Sequence, residues 1–161
     1  MPCSRCGRYG LLNCHGWVSG NDNSARGSVL RGARFFCSPR RRRAPGCGHS
    51  FMLWIAERLP RHSVSSQILW AFLRLFQSGL SIAAAWEDAR TGFSLESAYR
   101  WVRHLRNDQS RLRASLCRVR APPPDAGTKN PLCEVLHHWV HALGQDDPIS
   151  SFHRHLQVDT M

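Results

Sequence analysis

Four cysteines carry the clearest chemistry in this chain. Cys3-x2-Cys6 places two sulfurs on one tight turn followed by Gly7, and Cys37 and Cys47 form a second pair, with Gly46 and Gly48 flanking the last. Four thiolates satisfy a tetrahedral zinc ion, and such a closed set keeps no open position for a substrate, so the expected cofactor is a structural Zn2+. Nine residues, SPRRRRAPG, separate the second pair where two would be simplest. That insertion projects Arg40, Arg41, Arg42 and Arg43 at solvent or at phosphate. Two rivals for a ligand position stay open: His49, which follows Cys47 by two residues, and Cys14-His15. Seven cysteines clustered toward the N-terminus of a chain expected in a reducing compartment argue for metal rather than disulfides.

A second set of residues lies in SIAAAWEDARTGFSLESAYRWVRHLR. A short helix, a turn containing Gly92 and a longer helix bearing arginines fit a helix-turn-helix, whose second helix enters the major groove by its N-terminal half. Ser94, Glu96, Ser97, Tyr99, Arg100 and Arg103 would then face DNA, with Arg100 or Arg103 bidentate to guanine, Ser97 and Tyr99 on phosphate or base edges, and Arg106 further along the same basic side. The competing structural reading is a plain three-helix bundle with a solvated basic face.

The charge balance points the same way. The formal net charge is +11, and residues 1–120 hold 20 Lys+Arg against 6 Asp+Glu, while residues 121–161 hold 2 against 5. Summed positive potential attracts phosphate before any specific contact forms, so double-stranded DNA is the expected partner and the first 120 residues its site. Lys129 is the only lysine. The remaining cations are guanidinium forks suited to phosphate and guanine, although a GC-rich gene produces the same bias.

These residues need elements to position them. The expected fold is α+β and mainly helical: a zinc ribbon of β-hairpins over 1–60, a three-helix helix-turn-helix unit over 61–120, and a Pro-rich linker with a helical tail over 121–161. Leu11–Val18 and Ala33–Phe36 read as strands, with SGNDNSARG between them as a hairpin turn or loop tip. Val64, Ile68, Leu69, Phe72, Leu75 and Phe76 make one apolar stripe behind the cap Ser63, and Gly79 ends that helix. Ser81 caps the second helix, and Ser94 caps a third whose Leu95, Ala98, Val102 and Leu105 share a face. PLCEVLHHWVHAL forms a helix from Pro131 to Gly144, and GQDDPISSFHRHLQVDTM reads as poorly ordered. Trp70, Trp86 and Trp101 are expected in helix cores, leaving Trp17 and Trp54 unassigned.

The succession CSRCG, RFFCSPRRRRAPGCGHSF, LPRHSVS and SGLSIAAAWEDARTGFSLESAYRWVRHL resembles the N-terminal zinc-ribbon and helix-turn-helix region of bacterial insertion-sequence transposases, over about residues 3–106. The resemblance implies binding to an element's terminal repeats, with the cysteines holding zinc. Such transposases continue into an RNase-H-like domain whose acidic triad binds two metal ions, and the 41 residues after Arg120 are too few for one. The expectation is therefore a non-enzymatic regulator, accessory subunit or domesticated fragment. Its partners would be duplex DNA, a transposase or recombinase subunit, or a second copy in a homodimer.

Other chemistry finds little support. His137 and His141 share a helix face, but the span between them lacks the glutamate base of a zinc hydrolase. No phosphate-binding glycine loop or nucleophile elbow occurs, and the scattered acidic residues offer no evident metal-binding pair beyond Asp146-Asp147. With no signal-peptide layout and no long apolar run, the expected location is the bacterial cytoplasm, on the nucleoid. Two further readings remain: an RNA-binding or protein-interaction zinc ribbon, and a non-catalytic subunit of a recombinase or nuclease.

Overall fold

The structure, a computed structural model, describes residues 1–21, 27–40, 45–57, 64–124 and 130–159. It is α+β, with a three-stranded antiparallel sheet and six helices among the described residues, and it divides into two compact units: 1–65 with 152–161, and 66–151. Arg41, Arg42 and Arg43, the cap Ser63 and Lys129 lie outside the described residues.

The first unit is built on the sheet β1 (Leu12–Asn21), β2 (Ser28–Cys37) and β3 (Ser50–Trp54), in that spatial order. β1 and β2 make the hairpin expected around SGNDNSARG, although residues 22–26 of that string lie outside the described ones. The hairpin register breaks between Cys14 and Gly16 and again between Val18 and Ser19, as bulges do when one strand carries an extra residue. β3 was not foreseen. SFMLW has no polar alternation to mark a strand, yet it pairs with β2 from Phe36↔Ser50 to Gly32↔Trp54, and Phe35 stacks on Phe51 across that pair with ring centroids 6.0 Å apart. Beside the cysteines, Cys3, Leu11 and Cys37 form one small buried cluster with Cys6 and Leu12 at its edge.

The second unit is helical, with α1 (Ser66–Gln77), α2 (Ile82–Asp88), α3 (Leu95–Asn107), α4 (Gln109–Val119) and α5 (Pro131–Leu143). Of the expected stripe, Leu69 and Phe72 are buried in α1 and Val64 just before it, while Ile68, Leu75 and Phe76 are half-buried and Leu73, outside the stripe, is buried. Each such buried side chain contributes about 1.5–3 kcal/mol on leaving water. Trp70 and Trp86 are buried as expected, the latter meeting Phe72 edge-on at 4.8 Å. α5 starts where expected, capped by the Asn130 side chain, which accepts from the Leu132 amide, and buries Leu132, Val135, Leu136 and Trp139.

Two further features, besides β3, differ from what the sequence leads one to expect. The stretch expected to hold three helices holds four, because Asp108 ends α3 and starts α4: its amide donates to the His104 carbonyl, and its own carbonyl accepts from Leu112. The tail expected to be poorly ordered contains α6 (Pro148–Asp159), with proline at its first position and Asp147 in front, whose Oδ1 accepts from the Ser150 amide at 3.0 Å. Among the described residues no helix is long and apolar enough to cross a membrane.

Candidate metal centre and nucleic-acid interface

The first knuckle is a turn closed on itself. Gly7 donates its amide to the Cys3 carbonyl at 2.8 Å, Cys3 donates to the Arg8 carbonyl at 2.9 Å, and Pro2 bridges Tyr9. The second knuckle forms despite its nine-residue insertion. Gly46 donates to the Ser38 carbonyl and Gly48 to the Cys37 carbonyl, which returns Cys47 to the side of Cys37 at the end of β2. Gly46 is required there by close approach: a Cβ would lie 2.6 Å from Cys37 Sγ and 2.5 Å from the Ser38 carbonyl oxygen. Arg8 ties the two knuckles by donating to the Pro45 carbonyl.

The sulfurs of Cys3, Cys6, Cys37 and Cys47 all lie within 4.8 Å of one another. Cys3 and Cys47 are 3.7 Å apart, and Cys6 and Cys37 3.8 Å. An ion with metal–sulfur bonds of ~2.3 Å holds its four sulfurs about 3.8 Å apart along the edges of a tetrahedron, so two edges already have that length. The group could hold a metal ion. Among the described residues it is the only set of three or more metal-ligating side chains brought together.

Burial opposes ionisation of Cys3, but the amides of Cys6 and Arg5 outweigh it and bring the thiol down to about 7. Burial pushes Cys37 up to about 12, and the neighbouring sulfurs add to the rise. Crowded sulfurs cannot all carry charge without a cation among them, and a divalent ion removes that conflict.

The rival ligands go elsewhere. The His49 ring faces Arg5, with Nδ1 3.4 Å from Nη1, and the exposed Cys14 lies on β1 with its thiol toward the Gly16 carbonyl. In the tail, His138 is buried against the Arg120 carbonyl at 2.9 Å while His137 is exposed. Asp147, the better half of the acidic pair, accepts from Ser66 Oγ at 2.6 Å and caps α6, so its carboxylate is committed to structure.

The basic helix has its own supports. Ser81 caps α2, its hydroxyl accepting from the Ala84 amide at 3.2 Å. The connection to α3 runs from Ala89 to Ser94, longer than the tight three- or four-residue turn of the simplest motif, and passes through two left-handed residues, Arg90 (φ 47°) and Gly92 (φ 72°). Trp86 pins it: the indole Nε1 donates to the Phe93 carbonyl at 3.1 Å while the ring rests on Phe72. Ser94 takes the N-cap position of α3, although its hydroxyl meets Ser97 Oγ at 3.4 Å rather than a helix amide.

At 100° per residue, Ala98, Val102 and Leu105 fall on one face of α3 and are buried, whereas Leu95, expected on the same face, is exposed in the first turn. Glu96, Arg100 and Arg103 fall opposite, with Tyr99 and Arg106 beside them, and all are exposed; Ser97 is half-buried. Glu96 accepts from Arg100 Nη2 at 2.9 Å. Arg40 is exposed in the turn after β2. The exposed Arg111 and Arg118 on α4 extend the basic character beyond what the sequence reading selected, because it took one helix where there are two. Arg5 and Arg8 beside the sulfurs were also passed over; their place inside and just after the CxxC was the available signal.

No family model, curated protein or solved structure matches the chain.

Proposed function

We infer that the chain is a DNA-binding protein in which Cys3, Cys6, Cys37 and Cys47 hold a structural zinc ion and α2–α3 act as a helix-turn-helix. The observation that carries this reading is α3: its apolar face is buried, its opposite face presents Arg100 and Arg103 with Arg106 at the flank, and the Trp86 bond fixes the turn before it. The arginines, Arg40 to Arg43 included, displace counterions from phosphates and supply most of the affinity, while α3 supplies the sequence preference. Zinc supplies a four-way cross-link to a unit whose apolar cluster is small.

The protein acts by binding, without catalysis of its own, on the bacterial nucleoid. The resemblance to transposase N-terminal regions suggests an accessory or regulatory role at a mobile element, alone, as a homodimer or beside a transposase or recombinase subunit. A second reading, RNA binding by the cysteine module, is favoured by two aromatic side chains open to stacking, Tyr9 at 74% exposure and Trp17 at 71%.

Metal analysis of the purified chain should return one zinc per molecule. Titration onto random-sequence duplex should give a log affinity that falls with log salt by about 0.9 per phosphate-bound arginine. Affinity unchanged between low and moderate salt would contradict the reading, and tighter binding to structured RNA than to duplex would favour the second.

A further inference from the structure

The Glu96–Arg100 pair is the feature of α3 that a simple phosphate-binding face does not explain. Both side chains stand in solvent, Arg100 at 63% and Glu96 at 80% exposure, with Glu96 Oε1 accepting from Nη2 at 2.9 Å. At such exposure an i,i+4 pair adds only a few tenths of a kcal/mol to the helix. A carboxylate at the centre of the basic face also repels phosphate. Four residues earlier than Arg100, it lies in the helix half that approaches DNA first, where it opposes the affinity that the arginines create.

The same carboxylate suits a base-reading contact. It occupies one of the five guanidinium N–H groups and limits the swing of a long side chain, leaving Nη1, Nε and the second Nη2 hydrogen free. Two parallel donors from that planar fork match guanine O6 and N7 in the major groove. A preset fork loses less conformational freedom on docking than a mobile one. No carboxylate partner is seen for Arg103, one turn on, or for the flanking Arg106 among the described residues, as suits phosphate contacts.

Resting on the DNA-binding reading above, we propose that Arg100 reads a guanine and that Glu96 is its positioning residue, giving up some general affinity for discrimination at one base pair. The division of labour on α3 is then Glu96–Arg100 for sequence and Arg103 with Arg106 for the backbone.

The test is selection of the zinc-loaded full chain on a randomised duplex pool, followed by affinities for the selected site, for a copy with the guanine replaced by adenine, and for an unrelated duplex. Wild type should prefer guanine at one position by roughly tenfold or more. Arg100→Ala should lose that preference and keep the others. Glu96→Ala should move two readings in opposite directions, with weaker guanine discrimination and tighter binding to the unrelated duplex. Glu96→Gln, which keeps an acceptor for Arg100, should restore most of the discrimination. A carboxylate that merely supported the helix would weaken binding to every duplex alike. Duplex binding with no guanine position sensitive to Arg100→Ala, or with discrimination untouched by Glu96→Ala, overturns the proposal and leaves the DNA-binding reading standing. Failure of the folded, zinc-loaded chain to bind any duplex overturns both.

Discussion

The two units of this molecule hold themselves together by different means. In the cysteine unit Cys3, Leu11 and Cys37 form a small buried cluster, and Trp17, Leu30 and Met52 of its sheet are exposed. In the helical unit Phe72, Leu73, Val102, Leu116, Leu132, Val135 and Leu136 are fully buried. A three-stranded sheet whose cysteine end buries only a small apolar cluster gains most from a cross-link there, whereas five amphipathic helices pack on one another. The difference teaches which unit a metal ion held by the four cysteines would serve.

Four perturbations bear on that contrast, and the largest comes from removing the metal. Structural zinc contributes about 10–16 kcal/mol to folding in small thiolate modules, so chelation, or Cys3→Ser with Cys6→Ser, should unfold the sheet. The helical circular-dichroism signal and amide protection of α1 and α5 should persist; loss of both together would mean that the units depend on one another for stability. The reciprocal change is Phe72→Ala, which empties a wholly buried site under Trp86 and should cost roughly 3–5 kcal/mol in the denaturation of the helical unit. Zinc content should not change, and its loss would break the contrast.

Gly46→Ala is a finer probe. Its Cβ cannot occupy the 2.6 Å it would have from Cys37 Sγ, so the second knuckle must shift, at a cost of about 1–3 kcal/mol. The expected readout is faster loss of metal to a chelator with helical stability untouched. The smallest effect is Arg113→Ala, which removes a half-exposed ion pair between α4 and Glu134 of α5. It should lower the helical unit's stability by no more than about 1 kcal/mol.

The contrast also explains what could be read from the chain. Metal sites announce themselves through residue type and local spacing, so the Cys3-x2-Cys6 knuckle and its partners Cys37 and Cys47 were legible despite the long second spacing. α1, α2 and α5 were legible because a 3.6-residue stripe, a cap at Ser81, and Pro131 and Gly144 at the two ends of α5 are local signals too. β3 was not, since SFMLW lacks alternation, the glycines before it were absorbed by the knuckle, and it becomes a strand by pairing with β2. The division at Asp108 was within reach, since Asn107, Asp108 and Ser110 are cap-type residues, but the basic amphipathic runs on both sides outweighed that sign. α6 was within reach: Asp147-Pro148 is a cap followed by the residue that best starts a helix, but the polar string around it outweighed that sign. The Glu96–Arg100 pairing was visible as a spacing, while its geometry was not. Nor could the spacing reveal that Trp86 would pin the turn before α3 through the Phe93 carbonyl.

The central claim is that α3 meets duplex DNA, and the most direct measurement follows backbone amide resonances of the zinc-loaded chain as random-sequence duplex is added at low salt. The account predicts shifts concentrated from Ser94 to Arg106, reversed by salt, with the α5 amides from Leu132 to Leu143 left in place. Shifts confined to the cysteine unit, or none at all from a folded protein, would contradict it.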